Sequence, residues 1–233
     1  MNTVIDAHNI SKIYNKENIP VYAINNVHLH LGRGEFTALV GPSGSGKTTI
    51  ARLVARLTDP TIGRVQIRGV PLTEVANDEL RRRLIVVPQE PFLFANSIEY
   101  NLQFANPEAT PQSMIDSFNE LGLSDWLESL PSGLQTHVGQ RGSSLSAGER
   151  QLVALVRASI VKPDVLVLDE ATSSVDSLTE VRISRALERL AAGRTTISIA
   201  HRLSTASRAD RVIMLEKGRI VEDGSHLALL SAG

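Results

Sequence analysis

The chain has 233 residues, which is enough for one large domain with a sizeable hydrophobic core. Its 24 Lys and Arg residues nearly balance its 25 Asp and Glu residues, and the net charge of -1 argues against a general nucleic-acid-binding protein. Cysteine is absent, which excludes disulfide frameworks and cysteine-based zinc sites.

Alternating strand and helix patterns predict a mixed α/β fold. Residues 4–31 alternate in the manner of antiparallel strands, with Val27, Leu29 and Leu31 on one face. Short apolar runs rich in β-branched residues predict further strands over residues 35–40, 84–87, 165–168, 195–200 and 211–215. The run over 165–168 is continuously apolar, which is typical of a strand buried on both faces of a parallel sheet.

The helical patterns divide into one early helix and a longer helical region. Apolar residues at helical spacing predict a helix over residues 47–57, with an apolar face formed by Ile50, Leu53, Val54 and Leu57. Residues 91–160 contain no convincing strand, and their patterns predict helices over 111–121 and 152–160. We therefore expect a helical segment inserted into an α/β core.

A glycine-rich loop lies between the predicted strand 35–40 and the helix that follows it. Its sequence, Gly41-Pro42-Ser43-Gly44-Ser45-Gly46-Lys47-Thr48, fits the pattern G-x-x-x-x-G-K-[ST] without a mismatch. Such a loop turns successive backbone N–H groups towards phosphate oxygens, and the helix N-terminus adds partial positive charge. We expect Lys47 to reach the β- and γ-phosphates, Thr48 to bind Mg²⁺ and Thr49 to lie beside the nucleotide.

Two carboxylates follow the apolar strand 165–168. In a phosphate-loop protein, an acidic residue at the end of a neighbouring buried strand holds the metal ion. We expect Asp169 to hold Mg²⁺ through water and Glu170 to polarise the attacking water as a general base.

A third motif, Leu145-Ser146-Ala147-Gly148-Glu149-Arg150-Gln151, allows two interpretations. By itself it could be a serine-capped helix start with Glu149 in the first turn. Its order and spacing relative to Asp169-Glu170 instead resemble the nucleotide-binding domain of ABC transporters, whose signature usually reads LSGGQRQ. This sequence departs from that pattern at Ala147 and Glu149 and retains Ser146 and Gly148.

The resemblance extends over almost the whole chain. It implies a P-loop NTPase core of the RecA-like type, with an N-terminal antiparallel part and a helical subdomain. The core would cover about residues 1–90 and 161–233, and the helical subdomain about residues 91–160.

The resemblance also implies several roles beyond the phosphate loop. Gln89 would sense Mg²⁺ and the attacking water, Asp176 would belong to the D-loop, and His201 would contact the γ-phosphate. Tyr14 stands where the family places an aromatic ring against adenine, and a core or surface tyrosine is the less favoured alternative. Because Glu170 and His201 are retained, we expect the site to hydrolyse ATP.

Three segments are similar to the exporter-type domains of the family. These are residues 92–101, 196–204 and 136–142, of which the last resembles the exporter X-loop with His137 and Gln140 where glutamates are usual. The resemblance implies a head-to-tail dimer in which Ser146 and Gly148 of one chain cover the ATP of the other. It also implies attachment to transmembrane domains at the cytoplasmic face of a membrane, and we expect a domain cut from a fused transporter.

Two other classes of function stay open at this point. A non-transport ABC ATPase of DNA repair would carry a long coiled-coil insertion between Lys47 and Asp169, and no heptad run is found there. A translation-type protein would carry two such domains. A regulatory module that binds ATP without hydrolysing it would not require Glu170 and His201.

Overall fold

A computed structural model of the chain describes residues 3–15, 19–169, 176–200 and 203–232. The chain divides into two compact units. The first comprises Met1–Val86, Asp164–Glu170 and Gly193–Gly233, and the second comprises Val87–Pro163 and Ala171–Ala192. Within the described part of the chain, no helix has the length and apolar character needed to cross a membrane.

The regular elements alternate along the chain as the sequence predicts. The strands are β1 (Thr3–Tyr14), β2 (Val21–Gly32), β3 (Phe36–Val40), β4 (Ile62–Ile67), β5 (Val70–Pro71), β6 (Leu84–Val87), β7 (Val165–Asp169), β8 (Thr195–Ile199), β9 (Arg211–Glu216) and β10 (Arg219–Gly224). The α-helices are α1 (Lys47–Val54), α2 (Asn77–Arg83), α3 (Ile98–Gln103), α4 (Pro111–Leu121), α5 (Ser124–Ser129), α6 (Ala147–Val161), α7 (Ser177–Ala191), α8 (Leu203–Arg208) and α9 (His226–Ala232).

The strands form two sheets. The first is antiparallel and has the order β2-β1-β4-β5. The second has the order β10-β9-β3-β8-β7-β6. Within it, the pairs β9-β3, β3-β8 and β8-β7 are parallel, and β10 pairs antiparallel with β9. The predicted α/β fold, with an antiparallel N-terminal part and a parallel sheet, is therefore confirmed.

Helix α1 and strands from both sheets share one hydrophobic core. Ile50, Leu53 and Val54 of α1 are buried, and they belong to the same cluster as apolar residues of β1, β2, β4, β7, β8 and β9. The alternation predicted for β2 is also confirmed, because Val27, Leu29 and Leu31 are all buried. This packing fixes the position of α1 next to the loop that precedes it.

The predicted extension of α1 to residue 57 is wrong. The helix ends at Val54, and Leu57 is 65% exposed. Arg56 adopts a left-handed backbone conformation with φ of 51°, and its guanidinium donates a hydrogen bond of 2.8 Å to the Val75 carbonyl. The helix ends beside this hydrogen bond between Arg56 and Val75, although apolar residues continue at helical spacing as far as Leu57.

The second unit is helical apart from one short pairing. Ser97 and His137 form an isolated antiparallel bridge in the region predicted to lack strands. Helix α4 has its predicted bounds, whereas α6 begins at Ala147 and not at residue 152. Its first turn is polar and capped by side chains, so apolar spacing alone could not find it.

Candidate functional site

The loop between β3 and α1 has the backbone conformation that its glycines permit. Gly41, Gly44 and Gly46 have φ values of 140°, 76° and 107°. A Cβ at Gly46 would lie 2.6 Å from the Ala23 carbonyl oxygen, and one at Gly41 would collide with the Leu215 carbonyl oxygen. Since L-residues with side chains rarely adopt such φ values, glycine is required at both positions.

The N-terminus of α1 is left without a side-chain cap. Its N-cap residue is Gly46, and the first turn contains no acidic residue. The first N–H groups of a helix have no partners within the helix and carry partial positive charge. The loop therefore presents donors that suit an anion, as a phosphate loop requires.

Lys47 is a buried cation that lacks a carboxylate partner among the described residues. Its side chain is 7% exposed, and Nζ donates hydrogen bonds of 2.8 Å to the Gly41 carbonyl and 2.9 Å to the Pro42 carbonyl. Burial lowers the pKa of the Lys47 ammonium below its ordinary value of 10.5. Because an uncompensated buried charge is costly, a phosphate group at this position would supply the missing negative charge.

Ser45 supplies a second indication of a ligand site. Its hydroxyl oxygen is buried and has no hydrogen-bond partner among the residues that the structure describes. Buried hydroxyl groups in folded proteins are normally satisfied, so an orphaned one within a predicted phosphate loop indicates a place for a polar group. Pro42, Ser43 and Gly44 are exposed along the outer part of the same loop.

Strand pairing places Asp169 at the end of the sheet where the phosphate loop begins. Leu39 of β3 and Asp169 of β7 are both in register with Ile199 of β8, the strand between them. With strands spaced about 4.8 Å apart, Asp169 lies roughly 10 Å across the sheet from the strand that leads into the loop. Parallel strands place their carboxyl ends at one edge, as the predicted metal site requires.

Three further predicted residues of the first unit, Thr48, Thr49 and Tyr14, are at least partly exposed. Thr48 lies exposed in the first turn of α1, and Thr49 is half-buried beside it. Tyr14 is 41% exposed at the end of β1, with the Lys12 ammonium 5.5 Å from its ring centroid. An exposed ring is free to stack on a base, and its assignment to adenine stays a prediction.

The second unit carries the predicted residues Gln89, Ser146, Gly148 and Asp176. Gln89 is exposed after β6, and Ser146 is exposed at the start of α6. Gly148 is buried in the first turn of α6. The capping interpretation of the signature proves to be geometrically right, because Ser146 and Glu149 form a reciprocal capping box. A cap and a nucleotide contact are not exclusive, so the second role stays a prediction.

Glu149 is held by more than its cap. Its Oε2 atom accepts a 2.8 Å hydrogen bond from the Ser146 N–H, and its Oε1 atom accepts a 3.3 Å bond from the Trp126 indole N–H. Burial raises the pKa of Glu149 and so does the charge of Asp176, but the bonds from Ser146 and Trp126 outweigh both. The pKa of Glu149 therefore lies below its ordinary value of 4.5.

Asp176 is the N-cap of α7. Its Oδ1 atom accepts a 3.0 Å hydrogen bond from the Thr179 N–H, and this bond lowers the pKa of Asp176. Glu170 and His201, the predicted general base and γ-phosphate contact, lie outside the described residues, as do Ser173 and Ser174 of the predicted D-loop.

Sequence reasoning missed a cluster of rings in the second unit, here called the aromatic patch: Phe92, Phe94, Tyr100 and Phe104. The Phe94 ring lies 5.2 Å from that of Phe92 and 4.3 Å from that of Phe104, between ring centroids. Phe92, Tyr100 and Phe104 are 55%, 44% and 62% exposed. The sequence contains a signal for this cluster, because four of only nine aromatic residues in the chain lie between positions 92 and 104.

Arg157 of α6 holds the backbone beneath the aromatic patch. Its guanidinium donates to the Phe92 carbonyl at 2.7 Å, to the Asn101 carbonyl at 2.9 Å and to the Asn101 side-chain oxygen. Burial lowers the pKa of Arg157 to about 10, so the group stays charged at neutral pH. The patch is thus mounted on a fixed part of the helical unit.

Known proteins with this sequence pattern are ABC transporters. The family model described as ABC transporter matches residues 24–173 of the chain. The uncharacterised ABC transporter ATP-binding protein YknV of Bacillus subtilis is 42% identical over 91% of this chain and 35% of its own length. The ATP-dependent lipid A-core flippase of Chromobacterium violaceum is 40% identical over 93% of this chain and 37% of its own length.

A solved structure agrees with these sequence matches. A bacterial Atm1-family ABC exporter with ATP bound superposes with a TM-score of 0.89 at 38% sequence identity, over 99% of this chain and 40% of that chain. The chain thus spans well under half of the length of the proteins that it matches. With the family model covering more than half of the sequence, and the fold and the phosphate loop in agreement, this chain belongs to the ABC transporter family.

Proposed function

We propose that the chain is the ATP-binding and ATP-hydrolysing motor domain of an exporter-type ABC transporter. The observation that carries this proposal is the buried Lys47, which has no carboxylate partner among the described residues and lies beside an uncapped helix N-terminus. A triphosphate would supply negative charge to this loop, and the Ser45 hydroxyl, which has no hydrogen-bond partner in the described part of the chain, lies in the same loop. The relatives named above as a flippase and an exporter support the exporter type.

The metal ion of this proposal is Mg²⁺. Its ligands would be the hydroxyl of Thr48 and, directly or through water, Asp169 and Gln89. These are hard oxygen donors, which suit Mg²⁺, and Thr48 and Asp169 both belong to the unit that contains the loop. When bound there, Mg²⁺ would supply positive charge that offsets the negative charge of the phosphates.

The protein groups would divide the remaining work. Lys47 and the N–H groups of α1 hold the phosphates, Tyr14 stacks on the adenine, and Glu170 polarises the attacking water. By resemblance to the family, Gln89 orients that water and His201 contacts the γ-phosphate. Desolvation of Lys47 strengthens its attraction for phosphate, because the ammonium has little water to give up.

The working form would be a head-to-tail dimer. Ser146 and Gly148 of one chain would cover the ATP held by the loop of its partner, and Asp176 would lie near the same interface. ATP then joins the two copies, and loss of the γ-phosphate lets them separate. Either a second copy of this chain or a related domain could supply the other half.

The second partner would be a pair of transmembrane domains, which would hold the motor at the cytoplasmic face of a membrane. The aromatic patch supports this part of the proposal, because exposed rings clustered on a rigid base are typical of protein interfaces. The Ser97–His137 bridge ties the segment of the patch to the X-loop residues. The helical subdomain of about residues 91–160 would transmit movement between nucleotide and membrane domains.

The experiment that tests this proposal is Glu170→Gln. We expect ATP hydrolysis to fall at least a hundredfold, because the general base is lost, while ATP binding is retained and a stable ATP-bound dimer accumulates. Phosphate release and sedimentation velocity measure the two effects. Wild-type turnover in the variant would show that the assignment of Glu170 is wrong. Failure of the wild-type chain to bind ATP would refute the whole proposal.

A further inference from the structure

Glu149 connects two helices of the second unit through its two oxygens. One oxygen accepts from the Ser146 N–H at the start of α6, and the other accepts from the Trp126 indole N–H on α5. Ser146 completes the network, since its hydroxyl oxygen accepts a 3.2 Å bond from the Glu149 N–H. The side chain of Glu149 therefore links the signature serine to a tryptophan 23 residues before Glu149.

The tryptophan is a rigid anchor. Trp126 is 3% exposed, and its ring centroid lies 6.0 Å from that of Phe118, which is fully buried on α4. A ring packed in this way has little rotational freedom. The position of the Glu149 carboxylate is consequently set by the core of the helical unit and not by α6 alone.

A carboxylate is the group that this arrangement requires. It offers two acceptor oxygens, whereas a glutamine side chain offers one oxygen and an NH₂ donor. With the glutamine that is usual in the family signature, only one of the two N–H donors could be matched to a side-chain oxygen. The departure at Glu149 thus fits the presence of Trp126.

The network also sets the direction of the Ser146 hydroxyl. Its oxygen is engaged as an acceptor for the Glu149 N–H, so its single proton remains available to donate away from the helix. Ser146 is exposed, whereas Trp126 is buried and Glu149 is half-buried behind it. A phosphate oxygen approaching from outside would meet the hydroxyl proton of a serine whose rotamer is already fixed.

We propose that Trp126 and Glu149 are positioning residues that orient Ser146 towards the triphosphate bound by the partner chain. This inference rests on the proposed head-to-tail dimer and deepens it, because it assigns the device that prepares one half of the interface. In this proposal neither Trp126 nor Glu149 contacts the nucleotide. Their effect is exerted through the hydroxyl of Ser146.

The test uses the full chain with Glu170→Gln as the parent, so that ATP is retained. Sedimentation equilibrium gives the ATP-dependent dimer constant, and a fluorescent ATP analogue gives the affinity of the monomer. We expect Trp126→Phe, which keeps the ring and removes the N–H, to weaken the dimer about three- to tenfold and to leave monomer affinity unchanged. Glu149→Gln should weaken the dimer similarly, and Glu149→Ala should weaken it more.

Two controls separate positioning from helix stability. The double variant Trp126→Phe/Glu149→Ala should be no worse than Glu149→Ala, because Glu149→Ala already removes the bond that Trp126→Phe removes. Thr110→Ala removes the capping box of α4 in the same unit, so it should lower the melting temperature and leave the dimer constant unchanged. If Trp126→Phe does not fold, the test rests on the two Glu149 variants. The ATP-dependent dimer should then be weaker in Glu149→Gln than in the parent, and weaker still in Glu149→Ala.

The outcomes are distinct. Variants that dimerise as tightly as the parent, or single effects that add fully in the double variant, would overturn the positioning role alone. A parent that forms no dimer with ATP would overturn the proposed head-to-tail function and this inference with it. Because Trp126 is the single tryptophan, its emission in Glu149→Ala should also shift without nucleotide, and an unchanged spectrum would contradict the contact.

Discussion

Helices α1 and α6 begin in opposite ways, although both are predicted to contact phosphate. Helix α1 starts from Gly46 in a left-handed conformation, with no side-chain cap and no acidic residue in its first turn. Helix α6 starts from Ser146 with a complete capping box and Glu149 in its first turn. Helix α1 has no side-chain acceptor for its N-terminal N–H groups, whereas side chains at the start of α6 accept from the N–H groups of Ser146 and Glu149.

In the proposed dimer this difference would give two means of binding one ligand. At α1 the backbone N–H groups and the buried Lys47 would be the binding groups, and an anion would complete the loop. At α6 the side chains of Ser146 and Glu149 cap two N–H groups, and the Ser146 hydroxyl and the Gly148 N–H would donate to the phosphate. We therefore expect variants at α1 to abolish nucleotide binding and variants at α6 to affect mainly the step that joins two chains.

The largest effect is expected for Gly41→Ala. The new Cβ would collide with the Leu215 carbonyl, so the loop must move. We expect the free energy of unfolding to fall by about 2 kcal/mol or more, and ATP binding to be lost. Gly44→Ala is the matched control, because a Cβ there meets nothing within 4 Å and only the φ of 76° is unfavourable. Urea unfolding and ATP titration compare the two, and equal losses would contradict the steric explanation.

Lys47→Ala should have the next largest effect. Removal of a buried cation that faces phosphate should weaken ATP binding about a hundredfold, while the melting temperature changes little. Lys162→Ala, on an exposed residue that ends α6, is the control and should bind ATP normally. Retained tight binding in Lys47→Ala, measured by isothermal titration calorimetry, would count against the phosphate-loop assignment.

A smaller effect is expected for Thr110→Ala at the start of α4. It removes an ordinary capping box, formed with Ser113, and should cost about 1 kcal/mol of stability without changing ATP binding or hydrolysis. This variant shows what capping alone is worth in the helical unit. A loss of ATPase activity that exceeds the fraction unfolded would contradict the distinction between the caps of α4 and α6.

The smallest effect concerns pH. Since the folded-state pKa of Glu149 lies below its ordinary value of 4.5, its ionised form stabilises the fold above that pH, and this contribution is lost as the pH falls through the lower, folded-state value. Glu149→Gln does not titrate there. The difference in unfolding free energy between the wild type and Glu149→Gln should therefore shrink below pH 4.5, as urea melts from pH 7 to 3.5 would measure. A constant difference would contradict the pKa direction.

Much of the fold and the candidate loop could be predicted because their signals are local. The apolar runs of β3 and β7, the glycines around Lys47 and the Pro111 start of α4 each express the preference of a few neighbouring residues. The end of α1 could not be predicted in the same way. The helix ends before Arg56, whose guanidinium donates a hydrogen bond to the Val75 carbonyl. The spacing of apolar residues contains no information about that contact.

The sequence by itself determined the family pattern, the order of strands and helices, and the chemistry of the loop, because all three depend on residue types at short spacing. Only the tertiary structure decided that Asp169 is level with Leu39 across β8, that Lys47 is buried against two carbonyls, and that Trp126 holds Glu149. All three arrangements depend on tertiary packing. Asp169 and Leu39, and likewise Trp126 and Glu149, are far apart in the chain. Their geometry exists only after the sheet and the helical core have formed.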